Sequence, residues 1–257
     1  MLREKLSIIS LISTLAILPF SSTPALAEEK TVLQVMIRTG DGGQQKDRHI
    51  RKLKTLLTSK GCPARVELIK NGAPTPATTD IEFSPEPISI SQKRLTNFRL
   101  LAQARTIENK TKIGGAIITK KAAGIDDIAL LTKKRFSFVS PISHSGYLLQ
   151  IKMLEEAGVK PDPKQAIFVG NHVGAASMLL HGDTFAATVA APLARDWLTI
   201  NKELHIVAQT PLVETGGWWV NRRVNEKQAL VCAKILSQIK GYRLKLFPSW
   251  VGGFNPQ

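Results

Sequence analysis

The 257-residue sequence predicts an α/β fold for the chain that follows its first 27 residues. Three observations predict it. Short β-branched and aromatic runs alternate with amphipathic runs of helical spacing. Glycine or proline marks most of the junctions between them. No internal repeat or low-complexity tract interrupts the alternation, which predicts parallel sheets with ligands at the carboxyl ends of strands, beside helix starts.

In chain order, Thr31 to Ile37 (TVLQVMI) reads as a strand and Thr39 to Gly43 as a glycine-rich turn. A helix follows over 46–59, with Ile50, Leu53, Leu56 and Leu57 on one face and Gly61 closing it. Ala64 to Ile69 is a second strand, 71–79 (NGAPTPATT) a loop, and Asp80 to Phe83 a short strand ended by Ser84-Pro85-Glu86-Pro87. The run with Leu95, Phe98, Leu100 and Leu101 reads as a helix. Gly114 to Thr119 is a strand and Ile125 to Leu131 a short helix. Phe136 to Val139 is a strand, stopped by Pro141, and a helix runs from Tyr147 to Glu156, with Gly158 after it. Ala166 to Val169 and Phe185 to Val189 are strands around a helix over 173–181. A helical turn over 192–197, a strand over 204–208 and a helix over 225–238 complete the pattern.

Composition narrows the function. Arg3 and Lys5, an apolar run over 6–20 and Ala25-Leu26-Ala27 form a secretory leader, with cleavage expected after Ala27. The run is too short for a membrane span and is followed by no other candidate, so the expected location is the periplasm. The formal net charge is +15, and only Arg3, Lys5 and Glu4 of the charged residues leave with the leader. A strongly basic exported chain attracts anionic solutes or surfaces, and export excludes nucleic acid as its main partner. The densest basic group, 46–54, falls on one amphipathic helix and reads first as a solvated face. Cys62 and Cys232 form one disulfide or stay as two buried thiols. No CxxC occurs and the five histidines lack ligand spacing, so no metal and no cofactor is expected. The loop at Thr39 and Asp41 matches neither a Walker-type glycine loop nor GxGxxG; it reads as a cleft lining.

Ser143, His144 and Ser145 lie where a strand ends and a helix begins. Helix starts present unpaired N–H groups and a positive dipole end, so these residues form either an oxyanion pocket or an ordinary cap. Asn171-His172 sits at the equivalent turn after the next strand. A hydrolase built on Ser145 is disfavoured: position 143 is Ser, so the stretch is not GxSxG, and no Asp–His pair stands out.

From Gly114 onward the chain resembles the phosphonate-, phosphite- and phosphate-type (PhnD-like) periplasmic solute-binding proteins of ABC transporters. Pro141-Ile142-Ser143-His144-Ser145-Gly146-Tyr147 is similar to the family's Pro-x-Ser-Thr-Ser-Gly-Tyr. Leu154 to Gly158, Gly170-Asn171-His172, His181-Gly182-Asp183, Gly124 to Ile128 and Val251 to Phe254 match further family segments in order. The resemblance implies a two-lobed type II periplasmic-binding-protein-like fold, each lobe a sheet flanked by helices. Lobe 1 is expected over 28–112 plus 209–257 and lobe 2 over 113–208. It implies oxyanion contacts from Ser143, Ser145 and His172, with His144 in place of the threonine; Asn171, from its strand-to-helix turn, and Thr39, from its cleft-lining loop, are the further candidate contacts. Tyr147 is expected to pack its helix onto the sheet. The first lobe departs from the family: 71–79 replaces a helix, Ile88 stands where a tyrosine is expected, and Ala190-Ala191-Pro192 lacks an acid for a ligand amine. A small phosphorus oxyanion (phosphate, phosphite or a simple phosphonate) fits that pattern. The expected role is a monomeric, non-enzymatic capture subunit of an ABC permease. The alternative is an exported sensor or accessory protein of the same fold, acting on a membrane signalling partner, with ligand binding kept or lost.

Overall fold

A computed structural model of the chain describes residues 31–39, 46–161 and 163–257. The expected leader and the glycine turn after Thr39 lie outside the described residues. Two mixed sheets flanked by helices, with a two-stranded ribbon between them, make up the described residues.

The first sheet has the order β13-β4-β12-β3-β1-β2, from β1 (Leu33–Thr39), β2 (Ala64–Lys70), β3 (Ile81–Ser84), β4 (Phe98–Thr106), β12 (Gly217–Asn221) and β13 (Val251–Pro256). Strand β1 pairs in parallel with β2 and β3, while β12 and β13 add antiparallel pairs. The helix α1 (Lys46–Ser59) inserts Leu53 and Leu57, and α6 (Glu226–Ser237) inserts Ala229, Cys232, Ala233 and Leu236. Phe83, Trp218, Phe247 and Phe254 pack edge-on or tilted at centroid separations of 4.9–5.9 Å. Such pairs add to the area term of burying large rings. The short helix α2 (Ile88–Arg94) follows β3.

The second sheet has the order β10-β6-β9-β7-β8, from β6 (Gly115–Lys120), β7 (Phe136–Phe138), β8 (Ala166–Phe168), β9 (Ala186–Ala190) and β10 (Leu204–Gln209). Strands β8, β7 and β9 are parallel, and β6 runs against both β9 and β10. Helices α3 (Leu149–Glu156), α4 (His172–His181) and α5 (Ala191–Ile200) cover its faces. Tyr147 meets Phe138 and Phe168 edge-on at 5.0 and 5.1 Å, packing its helix onto the sheet as expected.

The chain crosses between sheets twice, through β5 (Lys112–Ile113) and β11 (Val213–Glu214), which pair antiparallel with each other. Thr210 Oγ1 accepts from Gly115 N–H, and Thr215 Oγ1 donates to the carbonyl of Ala104, tying each sheet to this ribbon. Beside it, Arg195 on α5 forms an ion pair with Glu108 at 2.6 Å.

Two expectations change. The sheets are mixed rather than parallel. The stretch from Phe98 is a strand, not a helix: Leu100, Leu101, Ala102 and Gln103 favour helix in isolation, but β4 lies between β12 and β13, and that pairing outweighs local propensity.

Cys62 and Cys232 form a disulfide that joins the end of the α1 turn to α6 across 170 residues of sequence. A bridge closing so long a loop removes much unfolded-state freedom. The Cys62→Ala/Cys232→Ala variant is expected to lose about 2–5 kcal/mol in urea unfolding. An unchanged midpoint would show that the bridge contributes nothing.

Candidate functional site

A cavity of about 560 Å3 opens between the two sheets. The crossover ribbon contributes Ile113, Val213 and Glu214; the first sheet's side contributes Thr39, Lys46, Asn71, Pro85, Glu86, Pro87 and the segment from Lys245 to Val251. The second sheet's side contributes two strand-to-helix turns, 139–149 and 170–173. All six residues singled out in the sequence, Thr39, Ser143, His144, Ser145, Asn171 and His172, line this one cavity.

The first turn follows β7. His144–Leu148 forms a π-helical turn that runs directly into α3, with Leu148 N–H donating to the Ser143 carbonyl at 2.9 Å. Such wide turns recur at functional sites. Its shape is held from the sheet side. Val139 N–H donates to the Gly146 carbonyl, as does Thr188 Oγ1 at 2.6 Å. The buried Gln150 Nε2 donates to the carbonyls of Ser145 and Val189. Gly146 is required there: a Cβ would stand 2.3 Å from Val139 Cγ2. The result bears on the choice between cap and pocket. Ser143 occupies the N-cap position, yet its side chain caps nothing, and the Ser145 hydroxyl also has no partner among the described residues. Both hydroxyls are therefore free to donate into the cavity.

The second turn follows β8. Asn171 is the N-cap of α4, and its Oδ1 accepts from Gly174 N–H at 2.8 Å. Its carbonyl is thus engaged in capping. His172 is buried, and its Nδ1 accepts from Ala190 N–H at 3.1 Å. Burial lowers its pKa to about 4, so the ring is neutral at neutral pH. With Nδ1 accepting, the proton sits on Nε2, which has no partner among the described residues. His172 therefore offers a neutral N–H donor rather than a charge. A hydrolytic triad needs the opposite arrangement, in which Nδ1–H donates to a carboxylate.

His144 is half-buried, and its pKa is lowered by desolvation, against the opposing pull of Glu86. Glu86 thus faces His144 across the cleft. It is held by Arg94, whose Nε and Nη2 donate to Glu86 Oε2 at 3.1 and 2.9 Å. Arg94 also pairs with the buried Glu82, which pairs with the buried Arg38. Thr75 and the Ala73 carbonyl, from the loop after β2, complete this network. That loop, 71–79, is therefore built into the lobe. A Cβ on Gly72 would lie 3.4 Å from Ile142 Cδ1, so the loop also closes one edge of the cleft. Thr39 Oγ1 accepts from Lys46 Nζ at 2.9 Å.

Sequence reasoning missed Glu86, Lys245, Phe247 and Trp250. Glu86 follows a strand's carboxyl end, which was signal enough to nominate it. The segment from Lys245 to Trp250 has no periodicity to draw attention. Ile88, where a tyrosine was expected, begins α2 and does not line the cavity.

The titration of His172 has a consequence for stability. Its folded pKa lies below the unfolded value near 6.5, so the unfolded chain binds more protons between about pH 6.5 and pH 4. Its contribution is fully present above pH 6.5 and is lost as pH falls toward 4. Urea unfolding is expected to weaken by up to about 3 kcal/mol over that window. His172→Asn is expected to flatten the slope, and an unchanged slope in that variant would contradict the assignment.

Comparison with known proteins bears on the fold and the family. The family profile described as "ABC transporter, phosphonate, periplasmic substrate-binding protein" matches residues 79–244, more than half of the chain. The chain belongs to this family. No curated protein matches it. Among solved structures, PhnD1 from Prochlorococcus marinus, in complex with methylphosphonate, is 18% identical. It has a TM-score of 0.65 over 88% of this chain and 92% of that one. A binding protein component of an ABC phosphonate transporter from Pseudomonas aeruginosa is 14% identical, with a TM-score of 0.62 over 89% and 82%. A Xanthomonas citri protein bound to ATP is 14% identical, with a TM-score of 0.62 over 88% and 92%. These likenesses show the two-lobed periplasmic-binding fold. The family is periplasmic, and no helix among the described residues is long and apolar enough to cross a membrane.

Proposed function

We propose that this phosphonate-family protein captures a phosphorus oxyanion between two lobes, 28–112 with 209–257 and 113–208, and presents it to an ABC importer. The observation that carries the proposal is a set of donors on one wall that have no partner among the described residues: the hydroxyls of Ser143 and Ser145 and the Nε2–H of His172. They line one cavity together with two helix starts, whose first N–H groups suit a tetrahedral oxyanion. Two lysines and two glutamates, Lys46, Lys245, Glu86 and Glu214, share the lining, so binding relies on these dipoles rather than on a cationic clamp. The phosphonate-bound family relative supports this ligand class.

The protein acts by binding, without turnover, as an exported monomer whose leader is removed after Ala27. The paired ribbon of β5 and β11 is the hinge, and closure hands the closed form to a membrane permease. A membrane sensor is the other partner this mechanism allows.

Trp250 lines the cavity and reports on occupancy. Saturating phosphate, phosphite or methylphosphonate is expected to change its fluorescence, and Trp250→Phe is expected to abolish the change. No change with any of the three would contradict the proposal.

A further inference from the structure

The cavity is much larger than its donor set requires. Its volume is about 560 Å3. Phosphate or phosphite fills a small part of that space. Cavities of this size bury drug-sized organic molecules.

Much of the lining is apolar on both sides. The donors Ser143, Ser145 and His172 stand beside Ile142 and Val173, and the facing side carries the partly buried Phe247 and the buried Leu246 and Trp250, with Lys245 and Glu86 nearby. Two large apolar side chains adjoin the donors in sequence. Ile142 precedes Ser143 and Val173 follows His172, and they are 42% and 55% exposed. An inorganic oxyanion at the donors would leave both wet. A ligand with an apolar body would cover them. Among the described residues the lining carries as many glutamates as lysines, so a bare dianion gains little from net charge, and apolar contact has to supply part of the affinity.

We propose that the ligand is an organic phosphonate or phosphate monoester with a bulky apolar or aromatic group. The phosphorus oxyanion sits at the two turns and the organic body fills the space between Ile142, Val173 and Phe247. The proposal rests on the oxyanion reading above and specifies what the phosphorus carries. Both chemical sources share the R–PO3 head, and the test separates them.

The mature full-length chain would be titrated calorimetrically with phenylphosphonate, phenyl phosphate, methylphosphonate, inorganic phosphate and benzyl alcohol. The tighter of the two phenyl ligands is expected to bind roughly tenfold or more tighter than methylphosphonate and phosphate. Which phenyl ligand leads assigns the carbon–phosphorus or the ester linkage. The preference is expected to fall below about threefold in Ile142→Ser/Val173→Ser, whose two sites are exposed and tolerate polar residues without loss of the fold. Equal binding of small and bulky ligands, or an undiminished preference in the variant, would overturn this inference and leave the oxyanion reading standing. Benzyl alcohol binding as tightly as the phenyl ligands would show that the head group is not recognised. Binding of none of the five, nor of phosphite, would overturn the oxyanion reading itself.

Discussion

Replacing both Ser143 and Ser145 with alanine is expected to weaken binding of a phosphorus oxyanion at least about 100-fold. A hydrogen bond to a charged group contributes about 1.5–3 kcal/mol, and two are removed together. The fold is expected to survive, because neither hydroxyl has a partner among the described residues and Ser143 caps nothing. The turn itself is held by Gln150, Thr188 and the Val139 N–H, which the substitutions leave in place. Calorimetry on the variant beside its thermal melt separates the two effects. Unchanged affinity would remove these serines from the site. A collapsed melt would show instead that they are structural.

The second large effect lies outside the cavity wall. Glu82→Ala is expected to destabilise the protein by about 3–5 kcal/mol. The Arg38 and Glu82 side chains are both fully buried and pair at 3.0 Å. Removing the carboxylate leaves a guanidinium in the interior with only the carbonyls of Lys70 and Ala73 and the Thr75 hydroxyl. A buried charge without its counter-charge is far costlier than the intact pair was favourable. Arg94 loses the same partner, which loosens its grip on Glu86 at the cavity edge. Urea unfolding measures the loss, and Glu82→Gln, which keeps the hydrogen-bonding shape, is expected to lie between the two. A loss below about 1 kcal/mol would show that the network is not a support of the first sheet.

The second sheet and its two turns were legible because their signals are local. A strand of Phe136 and Phe138, a proline, two serines and a glycine fall in a row, and the helix after them ends at Glu156 before Gly158. The helix α1 was read over the range it occupies because Leu53 and Leu57 keep one face. The first sheet was less legible because its signals are distant. Strand β4 is written in residues that favour helix and becomes a strand only between β12 and β13, which join it from over 100 residues away in sequence. The sequence leaves the disulfide open for the same reason: nothing near Cys62 points to Cys232.

The site divides along the same line. Ser143, Ser145 and His172 were found from strand-to-helix turns, while the facing wall was not. Glu86 looked like the end of a strand, and Lys245 to Trp250 looked like connecting chain. Their roles come from the topology, which lays β13 beside β4 and carries the preceding segment over the cavity. The loop at 71–79 looked like a lost helix. Its Thr75 and Ala73 instead complete the buried Arg38–Glu82 network, which ties the loop to the first sheet.

The central claim is that unpartnered dipoles on two helix starts hold a phosphorus oxyanion. Isothermal calorimetry of the mature chain with phosphate, phosphite, methylphosphonate, phenylphosphonate and sulfate tests it most directly. Saturable heat with at least one phosphorus oxyanion, lost in Ser143→Ala/Ser145→Ala, is the predicted result. Absence of heat with all of them, or binding that survives the loss of both hydroxyls, would contradict it.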